Sequence, residues 1–124
     1  MQTLKERNVV RVSETLFNHR QRYSVNCIDS VPRDGFMVSL TGYEVKVDTE
    51  VNEVLLYQIQ RFVDKHYDLV QYSRALFFGI WEDDGIYYLD VSEQIATEDV
   101  AVRVAKLNNQ IAYYNVKTKK SQRV

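Results

Sequence analysis

Apolar residues along this chain alternate in strand-like steps over some stretches and recur at helical spacing over others. Between residues 36 and 47, Phe36, Val38 and Leu40 alternate with Met37 and Ser39, and Tyr43, Val45 and Val47 alternate with Glu44 and Lys46. Thr41-Gly42 shifts the phase by one, so one plain strand would turn the two sets to opposite faces. A two-residue turn at Thr41-Gly42 restores a common face by pairing Leu40 with Tyr43, Val38 with Val45 and Phe36 with Val47. A bulged continuous strand, which Gly42 also suits, is the alternative.

The clearest helix follows. Val51, Leu55, Ile59, Phe62 and Leu69 recur at spacings of three, four or seven, and Asp48 or Thr49 offers a cap, which predicts a helix from about Glu50 to Asp68. Two β-rich runs, Ala75 to Glu82 and Ile86 to Val91, flank Asp83-Asp84-Gly85, a strong hairpin signal. Thr97 caps a second helix from Glu98 to about Asn108, with Val100, Val104 and Leu107 as its expected buried stripe, flanked by Ala101 and Ala105. Asn108-Asn109 suits a left-handed exit, and Ile111 to Val116 reads as a last strand. The order β(β)-α-β-β-α-β predicts an α+β fold: an antiparallel sheet with two helices on one face in the split βαβ, ferredoxin-like order.

The first 34 residues read less sharply. Val9, Val10 and Val12 suggest a short strand, Ser13 a cap for a brief helix through Thr15, Leu16 and Phe17, and Tyr23, Val25 and Cys27 a strand with one apolar face. The turn formers from Asp29 to Gly35, around the single proline Pro32, set this arm apart. The expected organisation is one domain: an N-terminal β arm (1–34) packed on an α+β core (35–116), then a basic C-terminal tail (117–124).

Composition narrows the class. With 124 residues, 45% hydrophobic and 27% charged, the chain can bury a core without disulfides or a structural metal. No apolar run reaches the ~20 residues of a membrane span, so no membrane partner is expected. Met1 to Arg7 lacks the apolar core of a secretory signal, and one cysteine, Cys27, permits no intrachain disulfide. A reducing cytoplasm, without secretion, is the expectation. Charge is segregated: residues 1–47 carry +2, residues 48–99 carry −9 and residues 100–124 carry +6. Such polarity reflects turn and cap chemistry, or suits a charged partner or head-to-tail homo-oligomers.

Few residues can do chemistry. Cys27, His19 and His66 are one short of a Cys/His zinc site. A Cys27–His pair lacks any supporting motif, and Cys27 reads as a buried thiol. Four scattered glycines make no phosphate loop. No cofactor, metal or catalytic residue is therefore expected, and an enzyme would need a pocket that unites Asp90 with His66 or Cys27. Glu82-Asp83-Asp84, with Asp90 on the facing strand, is the densest acidic group, read as turn chemistry, a contact surface or a hard-cation site, in that order. The tail carries Lys117, Lys119, Lys120 and Arg123, which suit either a solvated terminus or weak, salt-sensitive nucleic-acid binding. Nine tyrosines include the pairs Tyr87-Tyr88 and Tyr113-Tyr114, and one member of each pair must face away from the core.

Gly79-Ile80-Trp81, Tyr88-Leu89-Asp90-Val91-Ser92 and Asn109-Gln110-Ile111-Ala112, with Gly35 to Glu44 upstream, form a pattern that resembles small accessory proteins of bacteriophages and mobile elements. The resemblance spans about residues 35–116 and implies a setting inside a bacterial host, with no catalytic residues to transfer. Its shared positions could reflect backbone bonds between Asn109-Gln110 and Asp90-Val91-Ser92. The resulting expectation is a non-enzymatic protein-binding factor acting on a bacterial host or defence complex. Its contact residues would be Trp81, Glu82, Asp83, Asp84 and Tyr87. A nucleic-acid module using the basic tail, or a self-assembling phage protein, is the alternative.

Overall fold

Thr3 opens the first helix through a reciprocal capping box with Glu6, and a computed structural model that describes all 124 residues places helix α1 at Leu4–Asn18. Val9, Val12 and Leu16 then share one buried face. The expected N-terminal strand at Val9 to Val12 and the short helix capped by Ser13 are thus replaced by one helix, with Ser13 buried inside it. The valines are β-branched, but their spacing of three and four and the box at Thr3 outweigh that local preference. Strand β1 is Arg22–Val25, and Asn26 closes the loop after it by accepting from the backbone of Ile28 and Ser30.

Strands β2 (Phe36–Ser39) and β3 (Val45–Val47) precede helix α2 (Glu53–Tyr72), and β4 (Leu76–Asp83) and β5 (Ile86–Ile95) follow it. The helix starts later than expected: Asn52, rather than Asp48 or Thr49, caps it by accepting from the Val54 amide, which leaves Val51 exposed outside it. The β4–β5 hairpin forms as read, and Asp84 and Gly85 both take positive φ, as a two-residue turn of this hand requires. The Thr41-Gly42 hairpin does not form. Both β2 and β3 lie along β5, with Ser39 opposite Ser92 and Val45 opposite Leu89. Five residues on one side therefore span two on the other, and this looped-out segment corrects the side-chain phase.

Helix α3 (Glu98–Leu107), β6 (Ala112–Asn115) and β7 (Lys120–Arg123) complete the chain. Thr97 holds the cap position of α3 but makes no side-chain cap bond, and Leu107 is 81% exposed. Ala101 and Ala105 form the buried centre of the stripe because α3 sits close on Val38, Ile95 and Tyr113. Asn109 takes the expected left-handed conformation. The tail is not a frayed terminus: β7 pairs antiparallel with β6 from Ala112–Arg123 to Asn115–Lys120.

The protein is therefore α+β, with three helices and one curled antiparallel sheet in the order β1-β4-β5-β2-β6-β7, β3 lying beside β5. The main core joins α1 and α2 to the sheet through Leu16, Leu55, Ile59, Phe78, Ile80 and Leu89. A smaller core lies beneath α3. Both helical layers cover one face of the sheet, since Leu89 and Val91 under α2 share their phase along β5 with Ile95 under α3. No helix is long and apolar enough to cross a membrane.

Candidate ligand-binding cavity

The other face of the sheet has no helix on it. Three strands separate β1 from β6, yet the Arg22 guanidinium of β1 lies 4.7 Å from the ring centroid of Tyr114 on β6. The sheet is rolled enough for its two sides to meet across the uncovered face. Inside the roll is a cavity of about 630 Å³, within the range of small-molecule sites. Gly79, Asp90, Ser92 and Ser39 lie at its floor, Val31 and Pro32 of the loop after β1 border it, and Ala112, Tyr114 and Ser121 line the β6–β7 side. Trp81 lines the β4 side, its ring stacked on Tyr88 at 4.2 Å and 13°.

Asp90 is 4% exposed. Its Oδ2 accepts from Ser39 Oγ at 2.5 Å and its Oδ1 from Ser92 Oγ at 3.3 Å. Burial pushes the carboxyl above its ordinary pKa, and Glu44 adds to the rise; the two hydroxyl bonds and Arg22 oppose it. Gly79 is opposite Asp90 in the β4–β5 ladder, and a Cβ there would collide with Oδ1. The carboxyl thus occupies the space a side chain at 79 would need. Ionised Asp90 has about four acceptor sites, of which the two serines use one each.

The expected contact residues divide between locations. Trp81 faces the cavity, whereas Glu82, Asp83 and Asp84 are exposed at the hairpin tip. Tyr87 is 4% exposed and packs in the main core, so it is no part of a surface; its neighbour Tyr88 faces the other way. Asp90 sits several rungs from the turn, apart from the acidic trio, and no three His, Cys, Asp or Glu side chains are grouped to hold a metal ion. Of the basic residues, Lys120 and Arg123 belong to β7, Lys119 turns at positive φ beside the cavity, and the Lys117 amide donates to Asn115 Oδ1.

Cys27 is buried on the helical side, where Sγ lies 3.5 Å from the Tyr67 carbonyl oxygen. Burial and Asp68 push its thiol up to about 11 against the opposing pull of Lys5. His66 of α2 packs edge-on to Tyr43 and Phe62, and burial, then Lys65, lowers its pKa. Both lie across the sheet from Asp90, so the pocket required for a Cys/His/Asp enzyme is not assembled.

The anticipated bonds between Asn109-Gln110 and Asp90-Val91-Ser92 do not form. The Gln110 side chain donates to the Asn108 carbonyl, its backbone amide bonds the Ala105 carbonyl, and Asp90 is held by serines. Yet the quoted pattern does converge, since Gly79, Trp81, Asp90, Ser92, Gln110 and Ala112 all line the cavity. Ser39, from the upstream part of the pattern, and Tyr114, from the tyrosine pair, line it too, as do Arg22 and Ser24, which carried no functional reading in the sequence. Their only signal is that small and polar residues occupy the strand phase opposite the core, which ordinarily means solvent. No family model matches the chain, and no curated protein or solved structure matches it.

Proposed function

We propose that this is a binding protein without catalytic activity that takes a small molecule into the rolled face of its sheet. One observation carries the reading: a cavity of about 630 Å³ whose floor holds the buried Asp90 carboxyl and whose lining includes neither histidine nor cysteine. An aromatic ring, apolar side chains and a few convergent polar groups are what a small-ligand site uses for affinity and orientation. Within this proposal, the run from Phe36 to Asn115 is read as the split βαβ, ferredoxin-like order, supported by the adjacency β4-β5-β2-β6, with β1 and β7 added at the edges.

The test is a thermal-shift screen of a metabolite panel against the wild-type protein and Ala112→Phe, which directs a ring into the cavity. The expected result is that at least one compound raises the wild-type Tm and leaves the variant unmoved. A panel that shifts neither protein, or shifts both equally, overturns the reading.

A second reading rests on the exposed Glu82, Asp83 and Asp84 at the hairpin tip, next to Trp81. We infer from their exposure a macromolecular contact there, as for a phage-type accessory factor engaging a bacterial host or defence protein in the cytoplasm. Nuclease-treated capture from bacterial lysate, comparing wild type with the triple substitution Glu82→Lys, Asp83→Lys and Asp84→Lys, tests it. The expected result is a stoichiometric protein held by the wild type only.

A further inference from the structure

We propose that the cavity selects an organic cation, an ammonium or guanidinium group on an apolar body, with the cation seated against Asp90 and the body against Trp81; this rests on the small-molecule reading above. A carboxyl kept in the interior for structure alone normally has an arginine, a lysine or several backbone amides around it. Asp90 is bonded to none of these, only to the hydroxyls of Ser39 and Ser92. The guanidinium that lines the cavity, Arg22, is placed over the Tyr114 ring instead of in a bond to the acid. Three strands are nevertheless adapted to hold the carboxyl in place: β2 supplies Ser39, β5 supplies Ser92, and β4 supplies the glycine whose missing side chain leaves room. An apolar residue in place of Asp90 would need none of these adaptations. An acid so placed, at the floor of a cavity and with acceptor sites unused, has the features of a half-built ion pair whose other half arrives with the ligand.

Arg22 from β1 and Glu44 from the segment between β2 and β3 act on Asp90, Lys119 from the β6–β7 turn lines the same cavity, and β4 contributes no charge to it. The lining is balanced once ionised Asp90 is counted, and Asp90 is the charge lying deepest. Trp81 supplies an indole face for the organic body or for the cation itself. Because burial favours the neutral acid, seating a cation draws Asp90 into its ionised form, and its proton leaves to solvent.

Trp81 is the only tryptophan, so its fluorescence reports from the cavity alone. Three probes of one shape separate the outcomes: 2-phenylethylamine, 2-phenylethanol and phenylacetate, titrated into wild type, Asp90→Asn and Ala112→Phe. The expected result is that the amine binds at least about tenfold more tightly than the alcohol, and that Asp90→Asn abolishes the difference. Amine affinity should also rise with pH above the ordinary carboxylate range in wild type and stay flat in Asp90→Asn, since the amine remains charged throughout. If the alcohol or phenylacetate binds as well as the amine and Ala112→Phe removes it, the cation inference is overturned while the cavity reading stands. If the amine leaves Trp81 unchanged although the metabolite panel finds a ligand, the inference is likewise overturned. Asp90→Asn is near-isosteric, and its unfolding curve confirms that it folds.

Discussion

Single residues show most directly what the pattern of the chain conveys and what it conceals. Cys27 occupies the apolar phase after β1 and was readable as a buried thiol; its pKa of about 11, against an ordinary 9.0, is the chemical consequence. Only the thiolate attacks a disulfide reagent, so at about pH 8 the thiolate fraction is about 100-fold below that of an ordinary cysteine. Labelling of the native protein by an aromatic disulfide should be slower by at least that factor and become immediate in guanidinium. Fast native labelling would contradict the burial. Asp90 is the opposite case. It shares a phase with Ser92 and Tyr88, which in a flat sheet would be a solvent phase, and nothing local says that the sheet rolls over it. For the same reason the sequence groups Asp90 with Glu82, Asp83 and Asp84, its neighbours along the hairpin. Tyr87 and Tyr88 could be assigned to opposite faces from sequence, but which of them faced inward depended on the sheet's packing.

Among the elements, those with a strong internal signal were legible and those specified by a distant partner were not. The β4–β5 hairpin is written into Asp84-Gly85 and α2 into its apolar stripe. Helix α1 was obscured by its valines, because its capping box at Thr3 and Glu6 lies before them and the helix it packs on lies about fifty residues later. The looped-out segment between β2 and β3 was available only as an alternative, because the choice between hairpin and continuous strand depends on β5, which pairs with both. Strand β7 lacks apolar residues and all four of its residues are exposed, so only its pairing with β6 marks it. If α1 is part of the core rather than a separable arm, Leu16→Ala should destabilise the whole protein by about 2–5 kcal/mol in urea unfolding, with one transition seen by both far-UV circular dichroism and Trp81 fluorescence. A loosely packed arm would lose no more than about 0.5 kcal/mol, as for a surface substitution.

At the scale of the whole molecule, the sheet faces differ in what they accomplish. The helix-covered face carries the apolar core, while the rolled face encloses polar groups at some cost to stability. Asp90 makes that cost measurable through pH. Its folded pKa is raised, so above the ordinary carboxylate range the folded chain holds a proton that the unfolded chain has already released. The sign follows: the stability contributed by the protonated acid is complete below the ordinary value and is lost as pH rises through the raised one. The other carboxylates of the chain titrate in the same experiment, so the informative quantity is the difference between wild type and Asp90→Asn, which share them. Urea unfolding should find the two nearly equal at about pH 4. The gap should then widen in favour of the variant to about 1–3 kcal/mol by about pH 8, the usual cost of a buried polar group left without its partner. A constant gap, or one that widens in favour of wild type, would mean that the ionised carboxyl is already satisfied in the free protein. Saturating amine should close the gap by stabilising wild type alone, because only wild type presents the charge that the ligand completes. A variant more stable than wild type yet unable to bind would identify Asp90 as a residue kept for function at the expense of stability.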